Sequence, residues 1–178
     1  MGTRADFYIG KFHRFAIVEH DWLGSLGWDG YPQELGQEHG ISQEILRKKK
    51  RHTFKAAVEK LLRGRDDATW PKDGWPWPWE TSHLTDYVYL FDTERNEVLI
   101  FCFSKGPVTL TELNRDTRAY KKYKAAKARW LTHREKHPDS NRPEPQEPGE
   151  TFCRRCFFPD MSKIQKVTLG PRSGLIVI

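Results

Sequence analysis

Apolar and polar positions divide this chain into β-rich stretches near the start, middle and end, with helical stretches between them. Ala5-Asp6-Phe7-Tyr8-Ile9-Gly10 reads as a short strand ending at glycine. Phe15-Ala16-Ile17-Val18 and Trp22 to Trp28 add two strand-like pieces, and Asp29-Gly30-Tyr31-Pro32 is a turn signal. Ser42 is placed to cap a short helix through Leu46. Thr53 is the stronger cap, for a helix to Arg63 with Phe54, Val58, Leu61 and Leu62 on one face and Gly64 just beyond its end. Between Trp70 and Trp79 three prolines remove backbone donors and force extended geometry, which excludes helix and central strand. The β-rich runs Thr85–Phe91 and Glu97–Phe103, separated by the polar Asp92–Asn96, predict a hairpin. Leu113 to His137 is rich in Ala, Lys and Arg and lacks Gly and Pro, which predicts a helix stopped by Pro138. Residues 138–150 hold four prolines and no aliphatic side chain, the composition of a loop or linker. Ile164–Leu169, a turn at Gly170–Gly174 and the apolar Leu175–Ile178 close the chain. The last run is expected beside the hairpin, at the centre of one sheet.

These elements predict an α+β protein of one principal domain. Its central sheet is largely antiparallel and its helices are few. Residues 1–112 and 151–178 form the core, and 113–150 is an insertion made of a basic helix and a Pro-rich loop. With 178 residues the chain buries about 70% of its unfolded surface, so its folding does not depend on disulfides. Three cysteines, an odd number, suit a reducing compartment. The charged start and the broken apolar run after it predict no secretory signal. No stretch has the roughly 18 uncharged apolar residues of a membrane span, so the expected location is cytoplasmic, without a membrane partner.

Charge changes the picture most. From Arg115 to Lys136 nine Lys or Arg face two acids, a local +7, whereas the whole chain carries +6. The basic character thus belongs to one segment. Arg118, Lys121, Lys122, Lys124, Lys127 and Arg129 are candidates to line up on phosphates, with Tyr120, Tyr123 and Trp130 as stacking or anchoring rings. The same run also reads as a solvated face whose aromatics pack on the body, or as a dock for an acidic protein surface. The expected partner is accordingly nucleic acid or an acidic protein surface.

A second constellation is His133-x3-His137 followed by Cys153-x2-Cys156. Two histidines four apart share a helix face, and the thiolate pair would complete a tetrahedral site for one structural zinc ion. The plainer reading is two solvated histidines and two reduced cysteines. The run Trp75, Trp77, Trp79 offers either an aromatic platform or a cover over the core. For catalysis the sequence offers Glu80, His83 and Asp86, the pair Asp66-Asp67, and Cys102 in an apolar strand. It has no phosphate-binding loop, dinucleotide fingerprint, zinc-protease motif or nucleophile elbow, which favours binding over catalysis.

Thr3-Arg-Ala-Asp-Phe-Tyr-Ile-Gly10, Trp22-Leu-Gly-Ser25, Trp28-Asp-Gly-Tyr-Pro32, Gly74-Trp-Pro-Trp-Pro-Trp79, Thr85-Asp-Tyr87, Phe158-Pro-Asp-Met161 and Thr168-Leu-Gly-Pro-Arg-Ser-Gly174 resemble a group of small proteins of tailed phages and prophages. The resemblance covers most of the chain outside the basic insertion. It implies a mobile-element setting and supplies no activity and no catalytic residue. The expectation is a non-catalytic phage-type binding protein that acts, through the basic helix, on nucleic acid or a host complex that handles it. Two alternatives stand beside it. One is a protein-only inhibitor of a host defence or transcription machine. The other is a small hydrolase or nuclease-like enzyme.

Overall fold

The computed structural model of the chain describes residues 2–13, 16–34, 37–79, 82–103, 105–154 and 175–177. Phe15, Glu80, Cys156, the resembling stretch Phe158–Met161, the run Ile164–Leu169, the turn Gly170–Gly174 and Ile178 lie outside the described residues. Strands β1 (Ala5–His13) and β2 (Ala16–Leu26) open the fold. Helices α1 (Gln43–Leu46) and α2 (Arg51–Arg63) follow, then β3 (Ala68–Thr69). The Trp/Pro segment leads to β4 (Tyr87–Asp92), β5 (Glu97–Cys102) and β6 (Lys105–Val108). The long α3 (Leu110–Lys136), the short α4 (Thr151–Arg154) and β7 (Leu175–Val177) complete it.

One mixed sheet organises these elements in the order β3-β2-β1-β4-β5-β6. Among the described strands β1 and β4 run parallel, with Ala5 opposite Tyr87 and Gly10 opposite Asp92; the other strand pairs are antiparallel. The predicted hairpin is β4–β5, closed where the buried Asp92 carboxylate accepts from the backbone N–H of Glu94 and Arg95 at 2.9 and 3.1 Å. The α+β fold with a largely antiparallel sheet is thus the one expected.

One local reading is completed and two are corrected. The two strand-like pieces before Gly27 join into one strand, β2, which bends at Gly24. There φ is +140°, and an added Cβ would lie 2.7 Å from both Leu62 Cδ1 and the Thr69 carbonyl. Only glycine accommodates that approach of α2. Second, Thr53 is not the cap of α2. The helix begins at Arg51, and Thr53 turns its hydroxyl back to the Lys50 carbonyl at 2.9 Å. Third, β7 does not sit beside the hairpin. It pairs with Ala16–Val18 on the outer edge of β2, because β1 and β5 already occupy both edges of β4.

Both faces of the sheet are covered, so β4 and β5 read as unbroken apolar runs. Alternate residues of β1 go to opposite sides. Phe7 and Ile9 join Phe54, Val58, Leu62, Tyr89, Phe91 and the first turn of α3 on the helical side. Tyr8 joins Ile17, Trp22, Leu90 and Phe101 on the other, under Trp75. Amide exchange is expected to be slowest at Phe7–Ile9 and Val88–Leu90, where the strands have neighbours on both edges and cover on both faces. Rapid exchange there would contradict the central placement.

Candidate nucleic-acid interface

The basic helix starts earlier than expected because Thr109 caps it. The Thr109 hydroxyl accepts from Glu112 N–H at 3.3 Å, and the Glu112 carboxylate accepts from Thr109 N–H at 2.9 Å. This is the reciprocal Thr-x-x-Glu pattern, a signal present in the sequence and not used above. The first two turns anchor α3 to the body. Leu110 and Leu113 enter the core, and Asn114 exchanges hydrogen bonds of 2.9 and 3.2 Å with Gln43 of α1.

Beyond Thr117 the helix is packed by the segment that follows it. The prolines of 138–150 keep that segment extended, and it runs back antiparallel along α3 as a strap. His133 meets Ser140 at 3.2 Å, and Trp130 Nε1 donates to the Arg142 carbonyl at 2.9 Å. Lys127 pairs with Glu144 at 2.9 Å, and Thr151 N–H donates to Asp116 at 2.6 Å. Two extended residues advance about 6 Å and three to four helical residues about 5 Å, so the contacts stay roughly in step. Trp130 is 8% exposed. Its cover is therefore the strap and not the body.

This arrangement divides the cations that the sequence suggested would line up. At about 100° per residue, Arg118, Lys122, Arg129 and Lys136 fall within about 40° of one another. All four are exposed, and no ion pair ties them among the described residues. Lys121 and Lys124 instead line a cleft of about 990 Å³ between α3, the strap and residues 31–34 and 37–39, with Tyr31, Glu34, Glu147 and Phe152. Lys127 is held by Glu144 and by the Tyr123 hydroxyl, whose hydrogen bonds push its ammonium pKa up. The rings also leave the outward side. Lys124 lies over Tyr120, Lys127 over Tyr123 and Arg134 over Trp130, at 5.4, 5.7 and 5.1 Å from the ring centres.

The metal-ligand set is not assembled by the described backbone. His133 and His137 lie together at the far end of α3, with ring centres 4.8 Å apart. Thr151, two residues before Cys153, is bonded to Asp116. Asp116 is 17 residues before His133, or about 26 Å along the helix axis. The strap returns the chain to the Asp116 end of α3, away from the histidines. Cys156 lies outside the described residues.

The three tryptophans cover the core. Trp75 packs on Trp22 with ring centres 5.2 Å apart, and its Nε1 donates to the Trp79 carbonyl at 2.5 Å. Trp77 and Trp79 stack at 5.6 Å, with the Arg4 guanidinium over Trp79 at 4.7 Å. Trp77 also reaches a buried carboxylate absent from every sequence candidate. Asp6 Oδ1 accepts from Trp77 Nε1 at 2.8 Å and from Ser25 Oγ at 2.5 Å, and Oδ2 accepts from Thr85 Oγ1 at 2.7 Å. Tyr8 and Ser82 share a hydrogen bond of 2.6 Å alongside. Burial pushes the Asp6 carboxyl above its usual range, against the pull of the hydrogen bonds from Ser25, Thr85, Trp77 and Ser82. Asp6, Tyr8, Ser25, Ser82 and Thr85 are all essentially inaccessible, so the cluster fastens the Trp/Pro segment to the sheet and meets no substrate. An acid within the apolar run of β1 was its one sequence signal.

Of the other acid-base candidates, Asp86 and Asp67 are occupied structurally, and Glu80 lies outside the described residues. Asp86 accepts from Arg4 N–H and Nε at 2.7 and 2.9 Å. Asp67 accepts from the N–H groups of Gly27 and Trp28 and from Arg65. Burial works against its charge, yet these bonds outweigh it and hold its carboxyl below the usual range. Burial raises the Cys102 thiol pKa, which disfavours the nucleophilic thiolate. Among the described residues no helix is long and apolar enough to cross a membrane. Comparison with known protein families, curated proteins and solved structures gives no match, so the functional reading rests on the geometry of α3 and its strap.

Proposed function

We propose that the chain is a non-catalytic binding protein that holds nucleic acid, alone or within a host complex, on the outward side of α3. The observation that carries this reading is the row of Arg118, Lys122, Arg129 and Lys136, exposed and without ion pairs among the described residues, on a segment of local charge +7. Solvated cations repel one another along a helix, and an anionic polymer relieves that repulsion while releasing its own counterions. The body anchors only the first two turns, which leaves the row clear of the sheet. The resemblance to phage and prophage proteins supports a role in the host cytoplasm, where such a protein meets nucleic acid and the machines that handle it.

Pull-down from a host lysate, with and without nuclease, tests the proposal. Nucleic acid is expected to copurify, and both it and the accompanying proteins are expected to be lost on nuclease treatment. The charge reversal Arg118→Glu/Lys122→Glu/Arg129→Glu is expected to give the same loss without nuclease, with thermal stability nearly unchanged because the sites are solvated. Protein partners that survive nuclease but not the reversal would replace this reading with that of a protein-only inhibitor. Partners indifferent to the reversal would remove α3 from the function.

A further inference from the structure

Within the reading of α3 as a nucleic-acid interface, we infer that its ligand is B-form duplex DNA, gripped by its phosphates without base stacking. The inference depends on which side of the helix each residue type occupies. Single-strand binders place aromatic rings on the same surface as their cations, so that bases stack while the backbone is neutralised. Here the two are separated. Tyr120, Tyr123 and Trp130 lie on average about 140° around the helix from the row of four cations. Trp130 is enclosed by the strap, and Tyr123 holds Lys127 through its hydroxyl. The outward side therefore offers charge and no stacking surface.

Its shape matches the major groove of a duplex. From Arg118 to Lys136 the row extends about 27 Å. Ala125 and Thr132 are the small residues between the cations on that side. They let the backbone approach while the longer Arg and Lys side chains spread toward the flanking phosphates. A helix with its side chains is about 10–12 Å across and the B-form major groove about 12 Å wide, whereas the major groove of A-form RNA is too deep and narrow to admit it. Between the cations, the outward row carries no Asn or Gln to read adenine edges, which leaves guanine as the base its Arg and Lys can meet, and with those side chains spread toward the phosphates the grip is chiefly on the backbone. The strap backs the helix on the opposite side and leaves this approach open.

Fluorescence anisotropy with the whole chain tests the inference. The probes are one labelled sequence as duplex DNA, as single-stranded DNA and as duplex RNA. Duplex DNA is expected to bind tightest and with little dependence on sequence. Four neutralised phosphates predict an affinity loss of about 150-fold between 50 and 200 mM salt. The reversal of Arg118, Lys122 and Arg129 is expected to abolish binding, and Tyr120→Ala, at an exposed ring, to leave it unchanged. Single strands or duplex RNA bound as tightly as duplex DNA would overturn the duplex-DNA assignment. So would a loss with Tyr120→Ala as large as that of the reversal. Either result leaves α3 as a nucleic-acid interface. Failure to bind any of the three at low salt would overturn both readings.

Discussion

Replacing Asp6 with alanine is expected to lower the stability of the protein by about 3 kcal/mol, the scale of removing one partner from a buried hydrogen-bonded network. Three donors lose their acceptor at once: the Ser25 and Thr85 hydroxyls and the Trp77 indole. All sit under the Trp/Pro cover, where water cannot replace the lost oxygen without opening it. Asp6→Asn is expected to behave differently. Its amide oxygen can keep the bonds from Ser25 and Trp77, and its NH2 can donate to the Thr85 hydroxyl. The asparagine also removes a titration. Burial raises the folded carboxyl above its unfolded value of about 4. Asp6 therefore contributes stability in full below the unfolded pKa, and the contribution is lost as pH rises through the folded one. The stability of wild type relative to Asp6→Asn should fall as pH rises above about 4 and should not recover. Thermal melts of the pair from pH 3 to 8 read this directly. A difference that grows with pH would mean that the cluster favours the ionised acid.

The second large effect is expected at Trp130, and in a different part of the molecule. Trp130→Ala removes the one ring that the strap buries, at a local cost of about 3 kcal/mol. Of the remaining ties, Lys127 to Glu144 and His133 to Ser140 are exposed contacts that contribute little in water, and Thr151 to Asp116 holds only the foot of the strap, far from Trp130. The fraction of molecules with the strap detached should rise about 100-fold, since each 1.4 kcal/mol is a factor of ten. A nonspecific protease such as subtilisin reports it as faster cutting within 139–150, while the main thermal transition of the sheet stays in place. A large fall in that transition with unchanged cutting would instead place Trp130 in the common core.

Local pattern was enough for the hairpin and the helical character of 113–137, because each is written in neighbouring residues: two β-rich runs about a polar stretch, and an Ala, Lys and Arg run stopped at Pro138. What the pattern does not carry is who covers whom. Residues 138–150 hold no aliphatic side chain, so nothing in them announces a packing partner. Their partner is an indole twelve residues upstream, and the acids at 139, 144, 147 and 150 are the hint of the basic helix beside them. The cations were legible as a run, but their division among outward side, cleft and strap depends on helical phase and on that cover. Asp6 was hidden for a related reason. Its partners come from β2, the Trp/Pro segment and the residues just before β4, more than 70 positions away for Trp77 and Thr85, and no spacing rule connects them. The placement of β7 failed on competition for edges, since an apolar run states that a strand is buried but not which neighbour still has room.

The bond from Thr151 to Asp116 gives the helix-and-strap excursion a property beyond binding. The chain leaves the body just before Asp116 and comes back beside it, so the departure and return points are adjacent although some 35 residues of chain lie between them. An excursion with joined feet can be lengthened, shortened or exchanged between relatives without re-registering a single strand, because the sheet sees only the feet. The arm is in that sense a cassette: selection can tune its length and charge while the body keeps its own sequence requirements.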